Sequence, residues 1–373
     1  MTVSPLSLAV IGGGQLARMM QQAAIGLGVH IRLLAEGPDV SAAQVIPDHF
    51  VGDYTDIDDL RRAAEGSSVV TFDHEHVPPE HLRTLEAEGH IPRPGPDALI
   101  HAQDKITLRT ELDELGVPSP RWTVAVSVDD VVAFGLPCVL KTPRGGYDGK
   151  GVWVVRSETD AAAALAHDAV LVEELVDFRR ELSAQVARRP TGETVTYPVV
   201  ESRQENGVCK EVIAPAPQLA AKLADQAQQI AIDVAEALDV TGMLAVELFE
   251  TNDGRLLVNE FAMRPHNTGH WSIDGAVTSQ FENHLRGVLD LPLGPPEPTA
   301  RWSVMYNVLG GAIDDLESQV GVVLAAVPEA HIHLYGKAVK AGRKVGHVTV
   351  TGDDLDEVVA RARRAGSLLQ DGT

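Results

Sequence analysis

Three features of the sequence predict an α/β fold whose central part has α+β character. The chain opens on a strand, a glycine turn, a helix and a second strand. Residues 138–155 read as two strands around a glycine-rich loop, and an Asp-Gly hairpin follows a long helix near residue 250. The first pattern belongs to a parallel, Rossmann-like sheet and the other two to antiparallel pairs. At 373 residues the chain is long enough for two or three domains. Breaks at Gly116-Val117-Pro118-Ser119-Pro120 and at the proline-rich residues 291–298 divide it into an N-terminal Rossmann-like domain (1–115), a central region (116–298) and a small C-terminal α/β domain (299–373).

Taken in order, residues 6–11 are apolar and run into Gly12-Gly13-Gly14-Gln15-Leu16, a tight turn opening a helix; a second strand, 30–35, ends at Glu36. Gly12-x-Gly14-x-x-Ala17 followed by an acid imitates the dinucleotide fingerprint, although glycine turns also pack helix on sheet in domains that bind no dinucleotide. Gly14 and Gln15, at a helix N-terminus, suit the phosphate of some other ligand. Strand 69–72 leads to Asp73-His74-Glu75-His76. Neighbours on a strand face opposite ways, which disfavours a metal site there and leaves Glu75 at an edge where ligands sit. Residues 97–115 read as one helix carrying Asp104, Lys105 and Arg109. Beyond the glycine loop come a helix at 157–167, a short strand at 170–176 ending in acids, strands at 181–186 and 195–200, and an amphipathic helix at 218–238. A helix at 276–289 precedes the last unit, with strands near 303–308, 331–335 and 347–350 and a final helix.

Composition narrows the function. Hydrophobic content of 44% and a mean hydropathy of -0.02 are those of a soluble chain, and no apolar run reaches membrane-span length, so a cytoplasmic protein without membrane partners is expected. A formal net charge of -22 disfavours nucleic acid as a partner. Any anionic ligand must be held by local cations and N–H groups. Two cysteines, Cys138 and Cys209, indicate neither a disulfide framework nor a thiolate metal site.

Two stretches carry chemistry. In Thr142-Pro143-Arg144-Gly145-Gly146-Tyr147-Asp148-Gly149-Lys150-Gly151 the glycines free backbone N–H groups to meet an anion, and Lys141 and Lys150 supply charge. Spacing and the following strand exclude a Walker loop; a flexible surface hairpin is the plain alternative. In the second stretch, strands 243–250 and 255–261 flank Asn252-Asp253-Gly254, a hairpin signal. A two-residue turn on Asp253-Gly254 sets Glu247 opposite Glu260 on one face. Facing carboxylates repel unless a cation lies between them, and carboxylates with phosphate oxygens suit Mg²⁺. A register shift or a solvated face would remove the pair. Next come Arg264-Pro265-His266-Asn267-Thr268-Gly269-His270-Trp271, dense in anion-binding groups, and later Lys337 to His347, a basic segment in an acidic protein.

Together these pieces resemble the ATP-grasp superfamily and, within it, the N5-carboxyaminoimidazole ribonucleotide synthetase family of purine biosynthesis. The likeness rests on Gly12-Gly13-Gly14-Gln15-Leu16, Ala102-Gln103-Asp104-Lys105, the 145–151 loop, Asn259-Glu260, residues 264–271 and Gly342-Arg343-Lys344-Val345-Gly346-His347. Lys105, Lys340-Ala341 and Gln204 stand where that family commonly has Arg, Arg-Pro and His. The resemblance implies an ATP-grasp fold with a lid at about 118–176, and ATP-dependent carboxylation of 5-aminoimidazole ribonucleotide by bicarbonate through carboxyphosphate. It also implies Mg²⁺, with Mn²⁺ as a substitute, and a homodimer. Nucleotide would be held by Lys105, Lys141, Gly146, Tyr147, Asp148, Gly149, Lys150, Gly151, Glu173, Glu174, Leu175, Val176, Glu181, Gln204, Asn259 and Glu260, and the metal by Glu247 and Glu260. Tyr147, Asp148, Lys150, Arg264 and His266 are the implied catalytic set; Gly14, Gln15, Leu16, Glu75, Asn267, Lys337, Arg343 and Lys344 would meet the ribonucleotide. The rivals are the formate-using glycinamide ribonucleotide transformylase, which shares an Arg-Pro-His stretch, and a dinucleotide-binding oxidoreductase, which leaves the loop and the acid pair without a role.

Overall fold

The computed structural model describes residues 6–146, 150–165, 169–205 and 207–373. Tyr147, Asp148 and Gly149 lie outside the described residues.

The chain begins with a parallel sheet in the order His49–Val51, His30–Ala35, Ser7–Ile11, Val69–Phe72. Ser7–Ile11 is buried at every position, as a strand covered on both faces must be. Gln15–Leu27 packs Leu16, Ala17, Met20 and Ala24 inward. The expected helix 97–115 is two helices, Pro96–Gln103 and Lys105–Glu114. Asp104 is extended between them, and its carboxylate accepts from the N–H groups of Ile106 and Thr107. A good N-cap inside a helical pattern starts a new helix, and this one presents Lys105 at its first turn.

A four-stranded antiparallel sheet, Trp122–Ala125, Val170–Glu174, Cys138–Lys141, Val152–Val155, follows. Val128–Phe134 and Glu158–Ala164 cover one of its faces, each opened by a Ser/Asp capping box. On its other face Lys141 and Glu173 lie beside Val139, Val152 and Val154. The main sheet, nine-stranded among the described residues, runs Leu256–Ala262, Gly242–Thr251, Phe178–Arg188, Val200–Glu205, Val208–Ala214, Trp302–Leu309, Lys344–Gly352, His331–Leu334, with Thr194–Thr196 on Phe178–Arg188. The strand expected at 195–200 is thus broken at Pro198, which cannot donate to a ladder. The C-terminal strands extend the central sheet, and Leu316–Ala326, not foreseen in the sequence, joins Leu355–Asp371 over them. One apolar core includes Leu99 and Leu108 together with Leu182, Val246 and Phe261, so the N-terminal helices and the main sheet are one packed body. Among the described residues no helix is long and apolar enough to cross a membrane, and both cysteines are free and buried.

Candidate active site

Glu247 and Glu260 face each other across the Gly242–Thr251/Leu256–Ala262 pair, though by a route the sequence did not predict. The turn is a three-residue loop, closed by Thr251 N–H donating to Arg255 O (2.9 Å), with Gly254 at φ +81°. That loop shifts the register by one residue. A bulge at Asn259 shifts it back, since Leu248 pairs with Val258 while Glu247 pairs with Glu260. Bulges re-aim side chains: the Asn259 amide oxygen accepts from Lys141 Nζ (2.9 Å).

Burial, with Glu260 and Glu181 nearby, pushes the Glu247 carboxyl up to about 8, against the pull of Lys344 and Arg264. A carboxyl this reluctant to ionise is one that a cation would relieve. Among the described residues no group of three or more His, Cys, Asp or Glu converges into a metal cage. Two facing carboxylates without further protein ligands fit Mg²⁺, which completes its octahedron with phosphate oxygens and water.

Cations gather on the same side. The Lys105 ammonium lies 3.6 Å from where a Cβ on Gly146 would sit, so the loop backbone and this amine are adjacent. Burial lowers the Lys105 pKa, and Glu260 opposes that shift. The loop base is pinned by Lys105 N–H to Pro143 O (2.9 Å), by Arg144 Nε to Asp104 (2.8 Å), and by Thr142 N–H to Gly151 O (2.9 Å). Lys150 is exposed.

Arg264 is aimed by Glu75, whose two oxygens accept from Met263 N–H (2.6 Å) and Arg264 Nε (3.1 Å). Glu75, expected to touch a ligand, holds Arg264. His266 Nδ1 lies 2.8 Å from Thr268 Oγ1, and its Nε2 lies 3.3 Å from Glu247. Burial, then Arg264 and Lys344, press the His266 pKa down to about 3, so this imidazole is neutral near pH 7. Asn267 follows, its amide nitrogen and oxygen both buried and unpaired among the described residues. Burial raises the Glu181 pKa and the nearby Gln204 partly offsets that rise, which sets side by side two residues assigned to the nucleotide by the resemblance. Lys337 Nζ meets Gln15 across more than three hundred residues, because Ser41 and Gln44 hold the backbone oxygens of Tyr335 and Gly336.

Other expected site residues are engaged within the protein itself. Leu16 is a core residue, 5% exposed. Glu173 is 2% exposed and turned inward onto Arg109 and Lys141; burial alone would raise its pKa, and those two cations lower it. Glu174 bends back to Arg121 N–H (3.1 Å), and Leu175 and Val176, half-buried, follow the end of that strand. Arg343 is exposed and reaches Ala338 O (3.4 Å). The glycine turn at 12–14 does not offer an open pyrophosphate cradle: Gly13 N–H donates to Glu36 (2.9 Å) and Ala17 N–H to Asp73 (2.7 Å). Arg109 was absent from the expected set. Its position one helical turn after Lys105 was the available signal.

Comparison with known proteins identifies the family. Family models match for a ribonucleotide synthetase preATP-grasp domain over residues 6–103, an ATP-grasp domain over 110–281 and a phosphoribosylaminoimidazole carboxylase C-terminal domain over 303–361. The chain is 50% identical to an N5-carboxyaminoimidazole ribonucleotide synthase of Mycobacterium tuberculosis, covering 99% of this chain and 89% of that one. It is also 50% identical to that of Corynebacterium ammoniagenes, over 97% and 91%. Among solved structures, the synthetase of Thermus thermophilus superposes with a TM-score of 0.87 at 40% identity, covering 96% and 98%. An Aspergillus clavatus synthase in complex with ADP and 5-aminoimidazole ribonucleotide gives 0.89 at 30%, covering 97% and 98%.

Proposed function

The chain belongs to the N5-carboxyaminoimidazole ribonucleotide synthase family of ATP-grasp ligases, and we propose on that premise that it carboxylates 5-aminoimidazole ribonucleotide with bicarbonate at the expense of ATP. A bicarbonate oxygen attacks the γ-phosphorus and the bond to the β-phosphate oxygen breaks, giving ADP and carboxyphosphate. Cleavage of the carboxyphosphate C–O bond releases CO2 and phosphate. The substrate amine bonds to CO2, and phosphate takes the amine proton.

Phosphoryl transfer asks for positioning and charge neutralisation more than for covalent catalysis. Lys141, Lys105 and the loop N–H groups meet the nucleotide phosphates. Glu247 and Glu260 would hold Mg²⁺, whose contribution is to neutralise phosphate charge. Leu175 and Val176 receive adenine, and Glu181 with Gln204 the ribose. Arg264, aimed by Glu75, and Lys344 draw the carboxylated intermediate toward Glu247 and His266. His266, being neutral, serves as a hydrogen-bonding group rather than a fixed charge. Tyr147, Asp148 and Lys150 are assigned to the aminoimidazole ribonucleotide or the bicarbonate and Gly149 to the nucleotide, and excluding water from the site protects carboxyphosphate. Gln15, Asn267 and Lys337 are assigned to the ribonucleotide.

The observation that carries this reading is the facing Glu247–Glu260 pair, with Lys105 near Glu260, Lys141 on the intervening Asn259, and His266 and Arg264 near Glu247. The test is ADP release with aminoimidazole ribonucleotide plus bicarbonate, with glycinamide ribonucleotide plus formate, and with neither. Release only in the first mixture is expected; release in the second, or equal release in all three, refutes it.

A further inference from the structure

Arg109 sits 1% exposed beneath the cluster, on the first helical turn after Lys105, and touches two other elements. Its Nε and Nη2 both reach Glu173 Oε1 (2.7 and 2.6 Å), and Nη2 also donates to the backbone oxygen of Asn259 (2.6 Å). Lys141 Nζ reaches the other carboxylate oxygen, Glu173 Oε2 (2.7 Å), and the side-chain oxygen of the same Asn259 (2.9 Å). The two cations therefore divide one buried carboxylate oxygen by oxygen, and they divide one bulged asparagine between its backbone and its side chain.

We propose that Arg109 is a positioning residue that keeps the charge of Lys141 available to nucleotide phosphate by taking up part of the charge on Glu173. With Arg109 present, the buried group of two cations and one carboxylate carries a net positive charge. That charge has its outlet at Lys141, which is itself 8% exposed and shares a sheet face with the open side of the lid. Without Arg109, Glu173 and Lys141 form a closed, neutral pair, and Lys141 must leave its one ion-pair partner among the described residues to bind an incoming anion. This inference rests on the reading of Lys141 as a phosphate-binding residue.

The test measures Mg·ADP affinity by calorimetry, without ribonucleotide or bicarbonate, together with KM for ATP and kcat. Losing a charge-assisted contact at the phosphates weakens binding by about tenfold or more. Arg109→Met is expected to raise both the ADP Kd and the ATP KM by that factor, with a much smaller change in kcat. Arg109→Lys, which keeps the charge, should stay within about threefold of wild type. Adding Glu173→Gln to Arg109→Met removes the charge that traps Lys141 and should bring the Kd back toward wild type. A double variant that binds as poorly as Arg109→Met, an Arg109→Met protein with unchanged affinity, or a lysine variant as impaired as the methionine one overturns the proposal. Failure of both methionine-bearing proteins to fold does so too, since it makes Arg109 a purely structural residue. A protein that binds ADP as expected but carboxylates nothing would sink the proposed reaction and leave this inference standing.

Discussion

Replacing Glu247 with Gln should make the metal-free protein more stable at alkaline pH while ending its Mg²⁺-dependent turnover. In the folded chain burial, Glu260 and Glu181 hold the Glu247 carboxyl up to about 8, against an ordinary value of 4.5. Between those values the unfolded chain has released a proton that the folded chain retains, so stability falls as pH rises through the window, by about 1.4 kcal/mol per pH unit. The slope flattens as the folded pKa is approached, leaving about 2 kcal/mol between pH 6 and pH 8. Glutamine keeps the shape and carries no titrating proton, so Glu247→Gln lacks this loss. Urea unfolding with a chelator present, at pH 6 and at pH 8, reads the difference: the variant should gain about 2 kcal/mol on wild type across the interval. Adding Mg²⁺ should then stabilise wild type and leave the variant nearly unchanged, because a ligand stabilises only the state that binds it. A variant that tracks wild type at both pH values, or that is the less stable at pH 8, refutes the claim that these acids repel each other without a cation.

Three further outcomes follow. His284 is held down to about 3 by burial, between Met243 N–H and Thr71 Oγ1. The unfolded residue protonates near 6.5 and the folded one does not, so its share of stability is complete above that value and is lost as pH falls toward 3. His284→Gln should flatten the decline between pH 7 and pH 5 by about 2 kcal/mol, read from urea midpoints, and an unchanged slope would count against it. Glu75→Gln keeps an acceptor for Met263 N–H but removes the charge that aims Arg264. It should lower kcat/KM for the ribonucleotide by about tenfold with a nearly constant thermal midpoint, and a lowered midpoint with full activity would contradict the aiming role. A Cβ on Gly310 would overlap the backbone carbonyl of Lys340, so Gly310→Ala should cost about 1–3 kcal/mol and raise KM for the ribonucleotide through the adjoining basic segment. A neutral effect in urea unfolding would show that this strand junction yields.

Local pattern revealed much of this site, and long-range contact supplied the rest. The first strands were legible because residues buried on both faces are uniformly apolar, as Leu8 to Ile11 are. The facing acids were legible because a hairpin register depends on a few residues around its turn. Even there two departures cancelled: the loop of Asn252, Asp253 and Gly254 shifted the register, and the bulge at Asn259 restored it. The break at Asp104 was not read, since one residue can belong to a helical pattern and also cap the helix after it. Glu75 and Glu173 were expected to face ligand because strand ends commonly do. Their partners, Arg264 and Arg109, are 189 and 64 residues away, and no local pattern encodes such pairs. The meeting of Lys337 with Gln15 depends likewise on Ser41 and Gln44 gripping a strap from the far end of the chain.

The central claim, that ATP activates bicarbonate at this site, is tested most directly by isotope transfer. With bicarbonate labelled in all its oxygens with the heavy isotope, and with ATP and aminoimidazole ribonucleotide present, the released phosphate should carry one labelled oxygen per turnover, delivered when the C–O bond of carboxyphosphate breaks. Phosphate carrying no label while carboxylated product accumulates would contradict the account.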